Sequence, residues 1–175
     1  VPEFNFGAME NVGAITYRDS ILLKDPKTAS AQQRRRQALI IAHEMAHMWF
    51  GNLVTPKWWD DLWLNESFAS WMALKVVRKV HPEFDLSSSD IHSRERAMGS
   101  DSAASTRPIR RNISPDEDMT RLFNSLAYHK GMSILTMVED WLGEDRFREG
   151  LIHYMNQHRW EHADAFDLAS ALAKV

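Results

Sequence analysis

The stretch LIIAHEMAHMWFGNL, residues 39–53, decides how the rest of this chain is interpreted. It is apolar enough for a buried helix, and within it His43 and His47 are four positions apart. Each residue of an α-helix turns by about 100°, so two imidazoles at this spacing lie on one face and can bind the same metal ion. Glu44 lies beside them, where a carboxylate can accept a proton. Polar groups on a buried helix need partners, and a metal ion supplies one.

A third metal ligand is expected on a neighbouring element, because catalytic zinc takes three protein ligands and keeps a fourth position open. The candidate is Glu66, in the sequence LWLNESFASW, with 18 residues between it and the second histidine. Thr55-Pro56 interrupts the helical conformation, so a second helix can fold back on the first. Asp60 and Asp61 are alternatives, either as ligands or as partners that orient an imidazole N–H group.

Bulk properties exclude several classes of function. The chain has 175 residues, the size of one ordinary domain, with a net charge of −3 and no cysteine. We therefore expect no nucleic-acid partner, no disulfide and no thiolate metal site. No apolar run reaches the roughly 20 residues of a membrane span, so we expect no membrane contact from this segment. Nothing in the composition assigns a compartment.

The order of predicted elements indicates an α+β fold that is mainly α. Residues 1–23 are rich in strand formers and are expected to be extended, ending at Asp25-Pro26. A short β segment in residues 1–24 would then precede a helical body in residues 30–175. The predicted helices span residues 30–50, 65–80, 88–98, 116–126, 129–142, 144–158 and 165–174, with a long loop over residues 99–115. Arginines 34, 35 and 36 are interpreted as a solvated helix face rather than a basic patch for an anionic ligand.

Three motifs together resemble one family of enzymes. The segment GAMEN covers residues 7–11, HEMAH is followed by Asn65-Glu66, and Tyr128 begins the segment YHKG. In these motifs and their order, the sequence resembles the zinc aminopeptidases typified by aminopeptidase N and puromycin-sensitive aminopeptidase. The resemblance implies a thermolysin-like metallopeptidase catalytic core, of which residues 1–175 form a part.

The resemblance also assigns roles to individual residues. It implies that His43, His47 and Glu66 bind one zinc ion. Glu44 is then the general base for a zinc-activated water and passes the proton to the leaving amine. Tyr128 donates a hydrogen bond to the oxyanion.

Substrate binding is assigned in the same way. The resemblance implies that Glu10 holds the free α-ammonium group of a peptide, while the backbone of Gly7 and Ala8 lies along it. Ser67 departs from the glycine that the family commonly has after the zinc glutamate. The family's N-terminal β domain, and the C-terminal helical domain of many members, are not contained in these residues. The segment alone is therefore expected to be weakly active or inactive.

Three alternative functions stay open at this point. A zinc endopeptidase shares the HExxH…E ligands, although the GAMEN segment argues against it. A related subgroup pairs the same site with epoxide hydrolysis. A non-catalytic, peptide-binding relative is the third alternative, although such relatives usually lose the site residues that this chain keeps.

Overall fold

The chain is mainly helical in the computed structural model, which describes residues 1–25, 27–114, 116 and 119–175. The described residues form helices α1 (Asp19–Leu22), α2 (Ala31–Ala46), α3 (Leu62–Val80), α4 (Ser87–Asp101), α5 (Gly131–Leu142), α6 (Glu144–His158) and α7 (Ala165–Leu172). Short strands are β1 (Ala8–Met9), β2 (Thr16–Tyr17), β3 (Val54–Pro56) and β4 (Glu161–Ala163). The predicted α+β, mainly α class is confirmed.

Helix α2 begins where the sequence predicts. Ser30 caps it, since the Ser30 hydroxyl accepts from the Gln33 amide at 3.2 Å and the Gln33 side chain accepts from the Ser30 amide at 2.8 Å. The predicted end at residue 50 is wrong, because the α-helix ends at Ala46. Wider turns follow, in which the Asn52 amide donates to the carbonyl of His47 at 3.0 Å. The chain then leaves through Gly51, whose φ of 122° favours glycine.

The core lies where α3 packs against α2, α5 and the turns after α2. Phe50 stacks on Phe68 with ring centroids 3.3 Å apart, and Tyr154 of α6 also stacks with Phe50, at 5.5 Å. Trp71 meets the fully buried Phe147 edge-on at 5.3 Å. These aromatic contacts fix α3 in place, and α3 carries the predicted third metal ligand.

The N-terminal segment is less extended than predicted. Strands β1 and β2 form an antiparallel pair, with Ala8 opposite Tyr17. Residues 19–22, which were predicted to be extended, form helix α1 instead. Asp19 lies in its first turn, where a carboxylate is favoured, and Ile21 is the residue that this helix buries. Pro26, part of the predicted end of this segment, lies outside the described residues.

A second strand pair was not predicted. Strands β3 and β4 pair in parallel, with Val54 opposite Glu161 and Pro56 opposite Ala163.

The predicted helix over residues 116–126 is wrong in its described part, which forms a 3-10 turn over Met119–Leu122. A π-helical turn, Leu126–Lys130, leads into α5. Other 3-10 turns cover Trp59–Asp61 and Pro82–Phe84. Within the described residues, no helix has the length and hydrophobicity needed to span a membrane.

Candidate active site

Three side chains with metal-binding atoms converge between α2 and α3. His43 Nε2 lies 3.1 Å from Glu66 Oε2, and His47 Nε2 lies 3.6 Å from the same oxygen. The two imidazole Nε2 atoms are 3.0 Å apart. His47 and Glu66 are buried, with 1% and 3% of their surface exposed. The structure thus brings together the three ligands that the sequence predicts.

The geometry of this trio fits a zinc ion. Tetrahedral zinc with bonds of about 2.0–2.1 Å has neighbouring ligand atoms roughly 3.3 Å apart, close to the observed distances. His47 Nδ1 lies 3.0 Å from the carbonyl oxygen of Phe50, an acceptor that places the proton of the neutral imidazole on Nδ1, so that the neutral form can offer Nε2 to a metal. His43 Nδ1 lies 3.3 Å from the Ser70 hydroxyl. Both imidazoles are therefore oriented by groups behind them.

The side chains of the trio also stabilise one another by charge. Burial acts to raise the pKa of Glu66, but hydrogen bonds from His43 and His47 lower this pKa to about 2. Burial acts to lower the pKa of His47, but the hydrogen bond and charge of Glu66 raise this pKa to about 9. These opposite shifts favour an ion pair between His47 and Glu66 at neutral pH in protein from which zinc has been removed.

Zinc binding to the metal-free protein is expected to release at least one proton at pH 7. His47 is protonated below its pKa of about 9 and must lose that proton to become a ligand. The apparent zinc affinity should therefore rise by roughly ten-fold per pH unit between about pH 6 and pH 8. Calorimetric titrations in two buffers of different ionisation enthalpy measure the proton release. A release near zero would contradict the ion pair.

Glu44 has the environment of a general base. It is buried, with 6% of its surface exposed, and its Oε2 atom has no hydrogen-bond partner among the residues that the structure describes. Burial raises the pKa of Glu44 to about 7, against the opposing charge of His47, and the neighbouring carboxylates of Glu10 and Glu66 contribute to the rise. A carboxylate with such a pKa can take up and release a proton near neutral pH.

Tyr128 reaches the site from the π-helical turn before α5. Its ring stacks on the His43 imidazole with centroids 5.8 Å apart, and burial raises the pKa of its phenol, so the hydroxyl stays a neutral donor. Ser67, fully buried, fixes this turn by donating to the carbonyl of Ala127 at 2.5 Å. A Cβ atom on Gly131 would overlap the Ser67 hydroxyl, so the Ser67 side chain can pack here only because residue 131 is glycine.

Glu10 lies against the metal-binding trio and is held by two asparagines that the sequence analysis did not identify. The Asn52 side chain donates to the Glu10 carbonyl at 2.9 Å. The Asn65 side chain lies between Glu10 Oε1 at 3.4 Å and His47 Nδ1 at 3.1 Å. The adjacency of Asn65 to the third ligand was the available signal for its role. Nothing in the local sequence marks Asn52.

Among the described residues, neither Asp60 nor Asp61 contacts an imidazole or joins the three side chains with metal-binding atoms, so both alternatives given for them are wrong. Asp61 accepts from Arg110 Nε at 2.9 Å and from the Trp63 indole at 3.2 Å. Asp60 lies 2.9 Å from an Nη of the same arginine. Both carboxylates face a cation of the loop that follows α4, which the sequence spacing did not reveal.

One cavity of about 780 Å³ unites the candidate residues. The predicted site residues that line it are Gly7, Ala8, Glu10, His43, Glu44, His47, Glu66 and Tyr128. Three predicted metal ligands, a base, a phenol and a separate carboxylate therefore face a common space.

Comparison with known proteins identifies the family of the chain. The family model of the peptidase family M1 domain matches residues 1–175. The chain belongs to this family. It is 46% identical over 175 residues to probable aminopeptidase 2 of Sulfurisphaera tokodaii, and 42% identical over 176 residues to leucyl aminopeptidase of Saccharolobus solfataricus. It is also 42% identical over 173 residues to endoplasmic reticulum aminopeptidase 2 of Homo sapiens.

These M1 relatives are much longer than the chain. The alignments cover 99%, 100% and 99% of this chain, but only 22%, 22% and 18% of the three relatives, in the same order. The chain thus spans about a fifth of the length of these relatives.

Proposed function

We propose that the protein carrying this chain is a zinc-dependent aminopeptidase, which releases N-terminal amino acids from peptides. The observation that carries the proposal is the position of Glu10, whose carboxylate lies 3.7 Å from His47 Nδ1 and lines the same cavity as the metal-binding trio. A carboxylate there can pair with the α-ammonium group of a peptide. The aminopeptidase names of the three M1 relatives support the same activity.

The candidate residues divide the chemistry among them. His43, His47 and Glu66 would hold one zinc ion. Bound there, zinc would polarise the scissile carbonyl and increase the acidity of the attacking water. Glu44 takes a proton from the water as its oxygen adds to the carbonyl carbon, and returns that proton to the amine when the C–N bond breaks. Tyr128 donates a hydrogen bond to the developing oxyanion.

Blocking the substrate's amino group is expected to abolish hydrolysis. An N-acetylated peptide has no ammonium group to pair with Glu10, so its kcat/KM should fall by about two orders of magnitude or more relative to the free peptide. The measurement compares leucyl-p-nitroanilide with N-acetyl-leucyl-p-nitroanilide in the protein that carries this chain. Equal rates would refute the exopeptidase proposal and favour a zinc endopeptidase.

The proposed zinc ligands can be tested by a separate measurement. Elemental analysis of protein prepared without chelator is expected to find one zinc per chain, and a strong chelator should remove both metal and activity together. Restoring zinc should restore the activity. A folded, active sample without metal would contradict the ligand assignment.

A further inference from the structure

The cavity extends beyond the metal-binding trio along α2. Its lining includes Arg36, which precedes His43 by seven residues on that helix. At 1.5 Å per residue, the two Cα atoms are about 10 Å apart along the helix axis. Glu10 contacts His47, on the opposite side of His43 along the same axis. The proposed ammonium-binding carboxylate and Arg36 therefore lie in opposite directions from the metal-binding trio.

Arg36 differs from the two arginines that precede it. Arg34 donates to the carbonyl of Ala29, and Arg35 lies 3.4 Å from the carbonyl oxygens of Phe84 and Asp85. Arg36 forms no hydrogen bond or ion pair with any residue that the structure describes. Arg36 is exposed, as the expectation of a solvated face for these arginines has it, and its side chain also lines the cavity.

Apart from the predicted site residues and Arg36, the ionisable side chains among the described lining residues are Asp90 and His129, and neither adds an unpaired charge. Asp90 lies 3.2 Å from a nitrogen of Arg78 and 3.0 Å from a nitrogen of Arg94. His129 is kept neutral because burial and the charge of Arg96 lower its pKa. Its Nδ1 is buried without a hydrogen-bond partner among the described residues. Among the described residues, the cavity lining thus offers one unpaired cation, Arg36, and one imidazole nitrogen without a partner.

We propose that Arg36 binds a carboxylate on the leaving part of the peptide, downstream of the scissile bond. This inference rests on the proposed aminopeptidase function. An extended peptide advances about 3.3–3.6 Å per residue, and the arginine side chain covers part of the distance. A carboxylate one to three residues beyond the scissile bond can therefore reach it. Guanidinium groups bind carboxylates well, because their paired N–H donors match the two oxygens.

The consequence is a preference for short peptides with a free C-terminus. A hydrogen bond to a charged group contributes enough to change affinity by roughly ten-fold. Leucyl-glycyl-glycine should therefore have a kcat/KM about ten-fold above that of its C-terminal amide, because the acid has a lower KM while kcat is the same. Arg36→Gln should bring this acid-to-amide ratio close to one by slowing only the acid, and Arg36→Lys should keep part of the ratio.

Two controls make the experiment specific. Lys79→Gln removes an exposed positive charge from the end of α3 and should leave the ratio unchanged. Leucyl-p-nitroanilide has no carboxylate, so the wild type and Arg36→Gln should hydrolyse it equally. If the wild type does not hydrolyse the anilide, the proposed function itself fails.

Each remaining outcome decides the inference. The carboxylate site is refuted if the wild type hydrolyses the anilide but shows no preference for the carboxylate in either pair, that is, the tripeptide acid against its amide and leucyl-aspartyl-amide against leucyl-asparaginyl-amide. It is also refuted if the preference survives in Arg36→Gln. Comparing leucyl-aspartyl-amide with leucyl-asparaginyl-amide identifies the source of the carboxylate. An effect of Arg36→Gln on this pair alone would assign the site to an acidic side chain instead of the C-terminus.

Discussion

Replacing Glu44 by glutamine is expected to reduce the peptidase rate of the protein that carries this chain by about 10²–10⁴-fold. The amide has nearly the same size as the carboxylate but cannot accept a proton from the attacking water. Glu44 lies outside the trio of His43, His47 and Glu66, so the zinc content should stay at that of the wild type. The measurements are kcat/KM for an aminoacyl anilide and elemental analysis of the same samples.

The matched control is Glu66→Gln, which should lose metal and activity together because it changes a proposed ligand. The wild-type rate should also fall as the pH falls through the pKa of Glu44, because the protonated carboxyl group cannot act as a base. The residual rate of Glu44→Gln should lack this acidic limb. A rate that does not change in Glu44→Gln would show that Glu44 is not the base.

The metal-binding trio could be predicted because its geometry is mostly local. The spacing of His43 and His47 fixes both imidazoles on one face of a helix, whatever the rest of the fold does. Glu66 needed only one further inference, that α3 folds back on α2. Long amphipathic helices such as α6 were also predicted, because a hydrophobic repeat becomes easier to recognise as it extends over more residues.

Contacts between distant segments could not be predicted in this way. The bond from Asn52 to Glu10 spans 42 residues, and the one from Asn65 spans 55. Strands β3 and β4 have three residues each, too few for an alternating pattern to stand out from a loop. Arg36 has the same local sequence context as its arginine neighbours, so only the packed structure distinguishes it from them.

Replacing Asp61 by alanine is expected to destabilise the fold by about 3 kcal/mol. Only 1% of Asp61 is exposed, and its carboxylate accepts hydrogen bonds from Arg110, from Trp63 and from the Ala165 amide at 3.3 Å. The alanine leaves these donors without their acceptor. Arg110 is 36% exposed and can regain water, which keeps the loss at the lower end for a broken buried pair. The free energy of unfolding in urea measures it.

Asp60→Ala is the matched control, since the Asp60 side chain is more exposed, at 15% against 1%, and contacts the same Arg110. We expect it to cost about 1 kcal/mol or less. Equal losses in the two variants would contradict the central position of Asp61. The two variants also test the rejected role in orienting an imidazole: such a partner would lower zinc affinity more than stability when removed. Because Asp61 contacts the loop after α4 and the start of α7 instead, its removal should lower stability first, and zinc affinity only as α3 loosens around Glu66.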